Sequence, residues 1–95
     1  MDKTELLKKA INTYGVQAQK DMMIEEMSEL TKAILKERRA DCFTGEIAKD
    51  NIKEEIVDVQ IMLNQMKIIY GYSKEREDRK LQRLSERLNG GGMPK

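Results

Sequence analysis

Two short segments of the chain carry the same spacing of acidic residues. Met23–Leu30 reads MIEEMSEL, and Ile52–Val59 reads IKEEIVDV. In each, a pair of adjacent glutamates is followed by a further acid three residues after the second glutamate. Carboxylates three residues apart lie one turn apart on a helix, where they can share a ligand. The chemistry open to such groups is coordination of a hard cation or transfer of a proton.

The apolar residues around these acids recur at helical spacing. On a wheel of about 100° per residue, Glu26 lies about 60° from the centre of its apolar stripe, and Glu29 about 60° further round. Glu55 and Asp58 take the same two angles on their own helix, whereas Glu25 and Glu54 point more nearly to solvent. The stripes comprise Met23, Met27, Leu30 and Ile34 in the first segment, and Ile52, Ile56, Val59 and Leu63 in the second. If the stripes pack together, four carboxylates converge at the margin of the core.

Four converging carboxylates repel one another and need compensating cations at neutral pH. Oxygen donors without histidine or thiolate select hard ions, so we expect Mg²⁺, with Mn²⁺ as the alternative ion. Magnesium in turn suits a phosphate substrate. A di-iron site fits less well, because it normally needs Glu-x-x-His and the chain contains no histidine. The remaining interpretation is that these glutamates are ordinary solvated residues on the surface of their helices.

A second charged pattern lies near the end of the chain. Arg76, Lys80, Arg83 and Arg87 follow one side of a predicted helix, beside Leu81, Leu84 and Leu88. Such a stripe attracts anions, which are either acids of a neighbouring helix or the phosphates of a substrate. Spacing alone leaves both interpretations open. No glycine-rich phosphate loop of the Walker type is present, so metal and basic side chains would have to hold any phosphates.

Composition narrows the classes of function. The chain of 95 residues predicts one domain, and its net charge of +1 argues against a general nucleic-acid binder. Without histidine, Ser/His/Asp and Cys/His catalysis are excluded. No apolar run is long enough to span a membrane, and the N-terminus has no signal peptide. These features and the single cysteine, Cys42, predict a cytoplasmic protein without a membrane partner.

The pattern predicts an all-α protein of four helices. We expect the helices over about 3–13, about 16–39, from a start near Thr44 or Asp50 to Tyr70, and after Ser73. Thr44 or Asp50 would cap the third helix, and Ser73 the fourth. Residues 1–89 would form the single domain, with a flexible glycine-rich tail at 90–95. Short connections between long amphipathic helices favour antiparallel neighbours and a bundle.

The third predicted helix is apolar on two sides. Val57, Ile61 and Ile68 lie roughly opposite its main stripe. A chain of this length has difficulty covering both sides, so we expect a second subunit to bury one of them. The alternative is that the first helix covers the second side within the monomer.

Three segments together resemble a known family. Glu25–Glu29 (EEMSE) followed by Glu55–Asp58 (EIVD) resembles the E-E-x-x-E … E-x-x-D signature of the MazG-like nucleoside triphosphate pyrophosphohydrolases. The segment Arg79–Leu84 (RKLQRL) is similar to the later basic segment of that family. The family is all-α and also contains dimeric dUTPases and phosphoribosyl-ATP pyrophosphohydrolase.

The resemblance implies a four-helix bundle protomer that assembles into a homodimer or a dimer of dimers. It implies Mg²⁺ held by Glu26, Glu29, Glu55 and Asp58, and a nucleotide substrate cleaved between its α- and β-phosphates into a nucleoside monophosphate and pyrophosphate. Glu25 and Glu54 match the leading glutamates of the two motifs and are the candidate catalytic residues, which would orient water or accept its proton. Lys80 and Arg83 are the candidate phosphate contacts.

Two alternatives accompany this expectation. The first keeps the chemistry and changes the substrate to dUTP, dCTP or phosphoribosyl-ATP. The second is a helical interaction module without enzymatic activity, whose acids bind a basic partner. The sequence offers few aromatic side chains for stacking on a base, which leaves base recognition weak or dependent on a neighbouring subunit.

Overall fold

The computed structural model describes residues 1–91, and within this range it contains four helices and no strand. The helices are α1 (Lys3–Tyr14), α2 (Val16–Arg38), α3 (Gly45–Tyr70) and α4 (Lys74–Glu86), and a kinked turn over Arg87–Gly91 follows them. The all-α class is therefore confirmed. The predicted flexible tail begins inside this turn, where Gly90 has a φ of 87°, and its residues 92–95 lie outside the described part of the chain.

Side chains cap two of the helices. Asp2 Oδ1 accepts a hydrogen bond from Glu5 N at 2.8 Å, and Glu5 Oε1 accepts one from Asp2 N at 3.1 Å, which makes a complete capping box on α1. Ser73 Oγ accepts from Arg76 N at 3.1 Å, so the predicted N-cap of α4 is confirmed.

The hydrogen bonds at the start of α3 differ from the predicted N-cap. Thr44 occupies the N-cap position, but its side chain makes no capping bond to the helix, and Asp50 lies within the helix. Instead Asp41 Oδ1 accepts hydrogen bonds from Phe43 N at 2.9 Å and Thr44 N at 3.0 Å. Thr44 Oγ1 accepts in return from Asp41 N at 3.2 Å. These hydrogen bonds order the turn before α3, and no side chain caps the helix itself.

Helices α2 and α3 lie side by side as an antiparallel hairpin, because only residues 39–44 connect them and they share the largest interface of the fold. Their more buried side chains recur at alternating steps of four and three residues, as expected for two helices that face each other. We call these positions the seam. They are Gln19, Met23, Glu26, Leu30, Ala33 and Glu37 on α2, and Ala48, Ile52, Glu55, Val59, Met62, Met66 and Ile69 on α3.

The seam differs from the predicted pair of apolar stripes. Met23, Leu30, Ile52 and Val59 belong to it as expected, but four stripe members are 38–51% exposed. These are Met27, Ile34, Ile56 and Leu63. The condition that the full stripes pack together is therefore not met by these four within residues 1–91. The physical reason is that each helix is apolar over a wide arc, so the wheel does not identify which part of that arc faces the neighbouring helix.

Helix α1 packs against both helices of the hairpin and buries Leu7, whereas α4 has no close backbone approach to α1, α2 or α3. None of the residues of α4 is buried. The Cα radius of gyration is 17.4 Å, against about 12 Å for a compact domain of this length. The single chain therefore shows three packed helices and a projecting fourth, and not the closed bundle that the resemblance implies. Among residues 1–91, no helix combines the length and hydrophobicity needed to cross a membrane.

Candidate metal centre

Three carboxylates meet across the α2–α3 hairpin. One oxygen atom from each of Glu26, Glu55 and Asp58 lies within 4.8 Å of the other two. Glu26 and Glu55 occupy seam positions and are partly buried, whereas Asp58 lies one turn beyond Glu55 and is exposed. The group thus has a closed side formed by the two helices and an open side that faces solvent.

The position of Glu26 has an electrostatic cost. Desolvation by burial raises the pKa of its carboxyl above the ordinary value, and the negative charges of Asp58 and Glu55 raise that pKa further. Glu25 and Glu29 add smaller contributions in the same direction. Apolar residues of similar length would fill a seam position without this cost. A cation bound beside Glu26 would offset this cost.

Glu29, the fourth predicted ligand, lies outside this three-residue group. Its Oε2 lies 3.7 Å from Lys32 Nζ in an i, i+3 ion pair on the exposed face of α2. For Glu29 to serve as a ligand beside Glu26, this exposed ion pair has to open, which costs little in solvent.

Glu25 and Glu54, the candidate catalytic residues, are exposed and also lie outside the group. Each precedes a seam glutamate by one residue, and adjacent residues on a helix point about 100° apart, so neither shares the face of the carboxylate group. This agrees with the wheel, which turns both of them towards solvent.

The predicted phosphate contacts are not brought to the carboxylates within one chain. Lys80 and Arg83 lie on α4, where they line a hollow of about 230 Å³ together with Arg76 and Arg79. Helix α4 has no close backbone approach to α2 or α3. These basic residues therefore form a site of their own in the described part of the chain.

Sequence analysis missed a second group of basic residues that lies nearer the carboxylates. Lys36 and Arg39 line two adjoining cavities between the end of α2 and the start of α3. The run Lys36–Arg39 (KERR) is the signal that indicates them. A basic run at the C-terminal end of a helix is common, because it complements the helix dipole, and for that reason the run does not stand out in the sequence.

The donor set fits a hard divalent cation. Its three ligands are carboxylates, and the chain contains no histidine that would favour zinc or iron. A single Mg²⁺ prefers six oxygen ligands and usually keeps several waters, so three carboxylates leave room for phosphate oxygens. Separations below 4.8 Å suit oxygens that surround one ion. The residues present therefore fit the metal that the resemblance implies.

Comparisons with known proteins identify no relative of this chain. No protein family matches it, and neither does any curated protein or solved structure. The resemblance of Glu25–Glu29 and Glu55–Asp58 to the MazG-like signature consequently stays a prediction, which depends on those residues alone.

Proposed function

We propose that the protein is a metal-dependent nucleotide pyrophosphohydrolase, which cleaves a nucleoside or deoxynucleoside triphosphate between its α- and β-phosphates. The observation that carries this proposal is the meeting of Glu26, Glu55 and Asp58 across two helices. Three carboxylates from separate turns form a preorganised oxygen site only because α2 and α3 pack in this register. Glu26 is partly buried in the seam, which distinguishes it from a glutamate that is fully solvated at the surface.

When bound, Mg²⁺ neutralises phosphate oxygens and makes a water molecule a better nucleophile. In this proposal Glu26, Glu55 and Asp58 hold the ion on the rigid hairpin, and Glu29 joins them after leaving Lys32. One of the two exposed glutamates, Glu25 or Glu54, would accept the proton of the attacking water. Basic side chains stabilise the leaving pyrophosphate.

The proposal includes a homodimer or a dimer of dimers. Its support is the exposed apolar surface of the hairpin, to which Met27, Ile34, Ile56 and Leu63 contribute. Leu81 and Leu84 on the projecting α4 are also exposed, as is Leu88 in the turn after it. Packing of these surfaces against another copy would complete a helical bundle and bury them. It would also bring Lys80 and Arg83 of one copy towards the carboxylates of another.

A cytoplasmic location belongs to the same proposal. Nucleoside triphosphates are cytoplasmic substrates, and Cys42 is exposed with no disulfide partner among residues 1–91. Such a thiol persists in a reducing compartment.

A helical interaction module is the second candidate function. Helix α4 favours it, since an isolated helix with leucines on one side and arginines beside them resembles a docking element for an acidic, apolar partner. In that case the carboxylate group would be incidental, and Mg²⁺ would leave the stability of the protein unchanged.

Product analysis separates the two candidates. The protein is incubated with a panel of nucleoside and deoxynucleoside triphosphates, with Mg²⁺ or with a chelator, and the products are resolved by ion-exchange chromatography. We expect nucleoside monophosphate and pyrophosphate with Mg²⁺, and neither product with chelator. Turnover of dUTP or dCTP alone would assign the narrower substrate class. If neither the nucleotides of the panel nor phosphoribosyl-ATP are hydrolysed, the enzymatic proposal is overturned and the interaction module is favoured.

A further inference from the structure

The connected end of the hairpin contains a cleft that the carboxylate site does not use. Two cavities of about 270 Å³ and 540 Å³ adjoin there and share Lys36, Arg39 and Asn51 as lining residues. The larger one reaches the size of a small-molecule pocket. We call this pair of cavities the loop-end cleft. Unlike the hollow on α4, it is formed between two packed helices, which hold its walls in a defined relation.

The charge of the loop-end cleft is positive and uncompensated. Lys32 lines the smaller cavity and pairs with Glu29 at 3.7 Å, but neither Lys36 nor Arg39 forms an ion pair with any residue in the range 1–91. An alternative role for Lys36 and Arg39 is to complement the helix dipole at the C-terminal end of α2. That role requires no cavity, and Arg38, which could fill it equally well, does not line the cleft. Two unpaired basic side chains at a concave surface favour an anion with several oxygens.

The loop-end cleft begins beside the candidate metal centre. Glu29, which lines the smaller cavity, lies three residues after Glu26, and Asn51 lies four residues before Glu55, so the rises along α2 and α3 are about 4.5 Å and about 6 Å. Side chains on a helix lean towards its N-terminus, which for Lys36 is the direction of the carboxylates, whereas Arg39 is the C-cap residue that follows α2. The residues Lys80 and Arg83 have no comparable position within the chain, since α4 lies apart from the hairpin.

We propose that the loop-end cleft binds the polyphosphate end of the substrate, with Lys36 and Arg39 as the side chains that hold the leaving pyrophosphate. The nucleotide part of this inference rests on the proposed function, whereas the anion site itself does not. Asn51 adds an amide donor from the opposite helix. The cleft then supplies, in the same chain as the carboxylates, the positive charge that the sequence assigned to α4.

Calorimetric titration with inorganic pyrophosphate, in chelator and at low salt, tests the anion site without any turnover. We expect Lys36→Gln/Arg39→Gln to weaken pyrophosphate binding at least about tenfold, because two charge-assisted contacts are lost. The control Lys3→Gln/Lys8→Gln, which removes the same charge from exposed positions of α1, should bind within about twofold of the wild type. The charge-preserving pair Lys36→Arg/Arg39→Lys should retain most of the affinity, which guards against a general effect of substitution.

The proposal would be overturned if the wild-type protein bound no pyrophosphate, or if Lys36→Gln/Arg39→Gln bound it as tightly as the wild type does. An equal loss of affinity in the α1 control would also overturn it. A loss confined to Lys80→Gln/Arg83→Gln would likewise move the site to α4. Failure of the proposed function is distinguishable. If pyrophosphate binding depends on the cleft but no nucleotide is hydrolysed, the anion site stands and the enzymatic proposal fails.

Discussion

At the scale of single residues, the main feature is an acid placed where an apolar side chain would pack. Glu26 lies in the seam of the hairpin, and both desolvation and the charges of Asp58 and Glu55 oppose its ionised form. A bound cation reverses each of these penalties, because it replaces the lost hydration and neutralises the neighbouring charges. A divalent ion bound beside Glu26 would therefore favour its ionised form.

Removing one carboxylate of the candidate metal centre should lower the activity without lowering the stability of the fold. We predict that Glu26→Gln or Asp58→Asn lowers turnover at least about 100-fold, since ligand loss weakens metal binding more than loss of an outer partner does. The fold should persist, and in chelator the melting temperature should rise slightly, because repulsion between carboxylates falls. Glu46→Gln is the matched control, as Glu46 is an exposed acid paired with Lys49 at 3.5 Å. Wild-type turnover in both site variants would contradict the assignment.

The raised pKa of Glu26 predicts a pH dependence for the metal-free protein. The folded state holds this proton at pH values where the unfolded chain has already lost it. The stability that the proton contributes is therefore fully present below the ordinary value of 4.5 and is lost as the pH rises through the raised folded value. In chelator, Glu26→Gln should gain stability over the wild type as the pH rises across this window. A stability difference that stays constant from acid to neutral pH would contradict the prediction.

The identity of the acids followed from the sequence, because equal spacing on two helices marks them without reference to a fold. The pairing of Glu29 with Lys32 did not follow, since the ion pair depends on side-chain conformation. The role of Lys36 and Arg39 also escaped prediction, because the cleft they line forms only when α2 and α3 pack.

At the scale of the helices, the register of the hairpin decides which residues meet. The helix ends were predicted to within a residue or two where glycine or a serine cap marks them, as at Gly15, Gly71 and Ser73. The side of each helix that faces the other was not predicted. Met27 and Glu26 are adjacent, and a helical wheel centred on the apolar residues places Met27 at the interface in preference to Glu26. The structure instead places Glu26 in the seam and leaves Met27 45% exposed.

The hinge before α4 depends on a glycine. Gly71 has φ 85° and ψ 174°, a combination that other residues adopt only with strain. We predict that Gly71→Ala lowers the free energy of unfolding by about 1 kcal/mol to 3 kcal/mol, as measured by urea denaturation.

Gly45 provides the internal comparison for this substitution. It begins α3 with an ordinary helical backbone, and an added Cβ would meet no atom within 4 Å. Gly45→Ala should therefore be neutral or stabilising by up to about 1 kcal/mol. Equal effects of the two substitutions would show that the backbone at Gly71 is not as described.

At the scale of the whole molecule, large apolar side chains remain exposed on both the hairpin and α4. Its radius of gyration of 17.4 Å reflects a hairpin with a projecting α4. Ile56 is 51% exposed and Leu81 53% exposed, on surfaces that no part of residues 1–91 covers. The two-sided apolar character of α3 predicted that a chain of this length leaves apolar residues of this helix uncovered, and Val57 and Ile61 on its second side are 53% and 43% exposed. The proposed oligomer would cover such residues.

Substitution on the exposed face of the hairpin tests this proposal. We predict that the wild type elutes as a dimer or tetramer by light scattering, and that Ile34→Lys/Ile56→Lys is predominantly monomeric, because two buried charges would oppose association. Ile47→Lys is the control, since Ile47 is 71% exposed near the start of α3 and is not one of the stripe residues proposed for the interface. A wild-type monomer at micromolar concentration would contradict the proposed assembly.

The measurement that tests the central claim most directly is titration of the metal-free protein with Mn²⁺, followed by the electron paramagnetic resonance signal of the free ion. We predict saturable binding by the wild type, loss of at least about tenfold in affinity for Asp58→Asn, and wild-type affinity for Glu46→Gln. Competition with Mg²⁺ should displace the bound Mn²⁺. Absence of binding by the wild type at millimolar Mn²⁺, or equal affinity in Asp58→Asn and the wild type, would contradict the claim that Glu26, Glu55 and Asp58 form a metal centre.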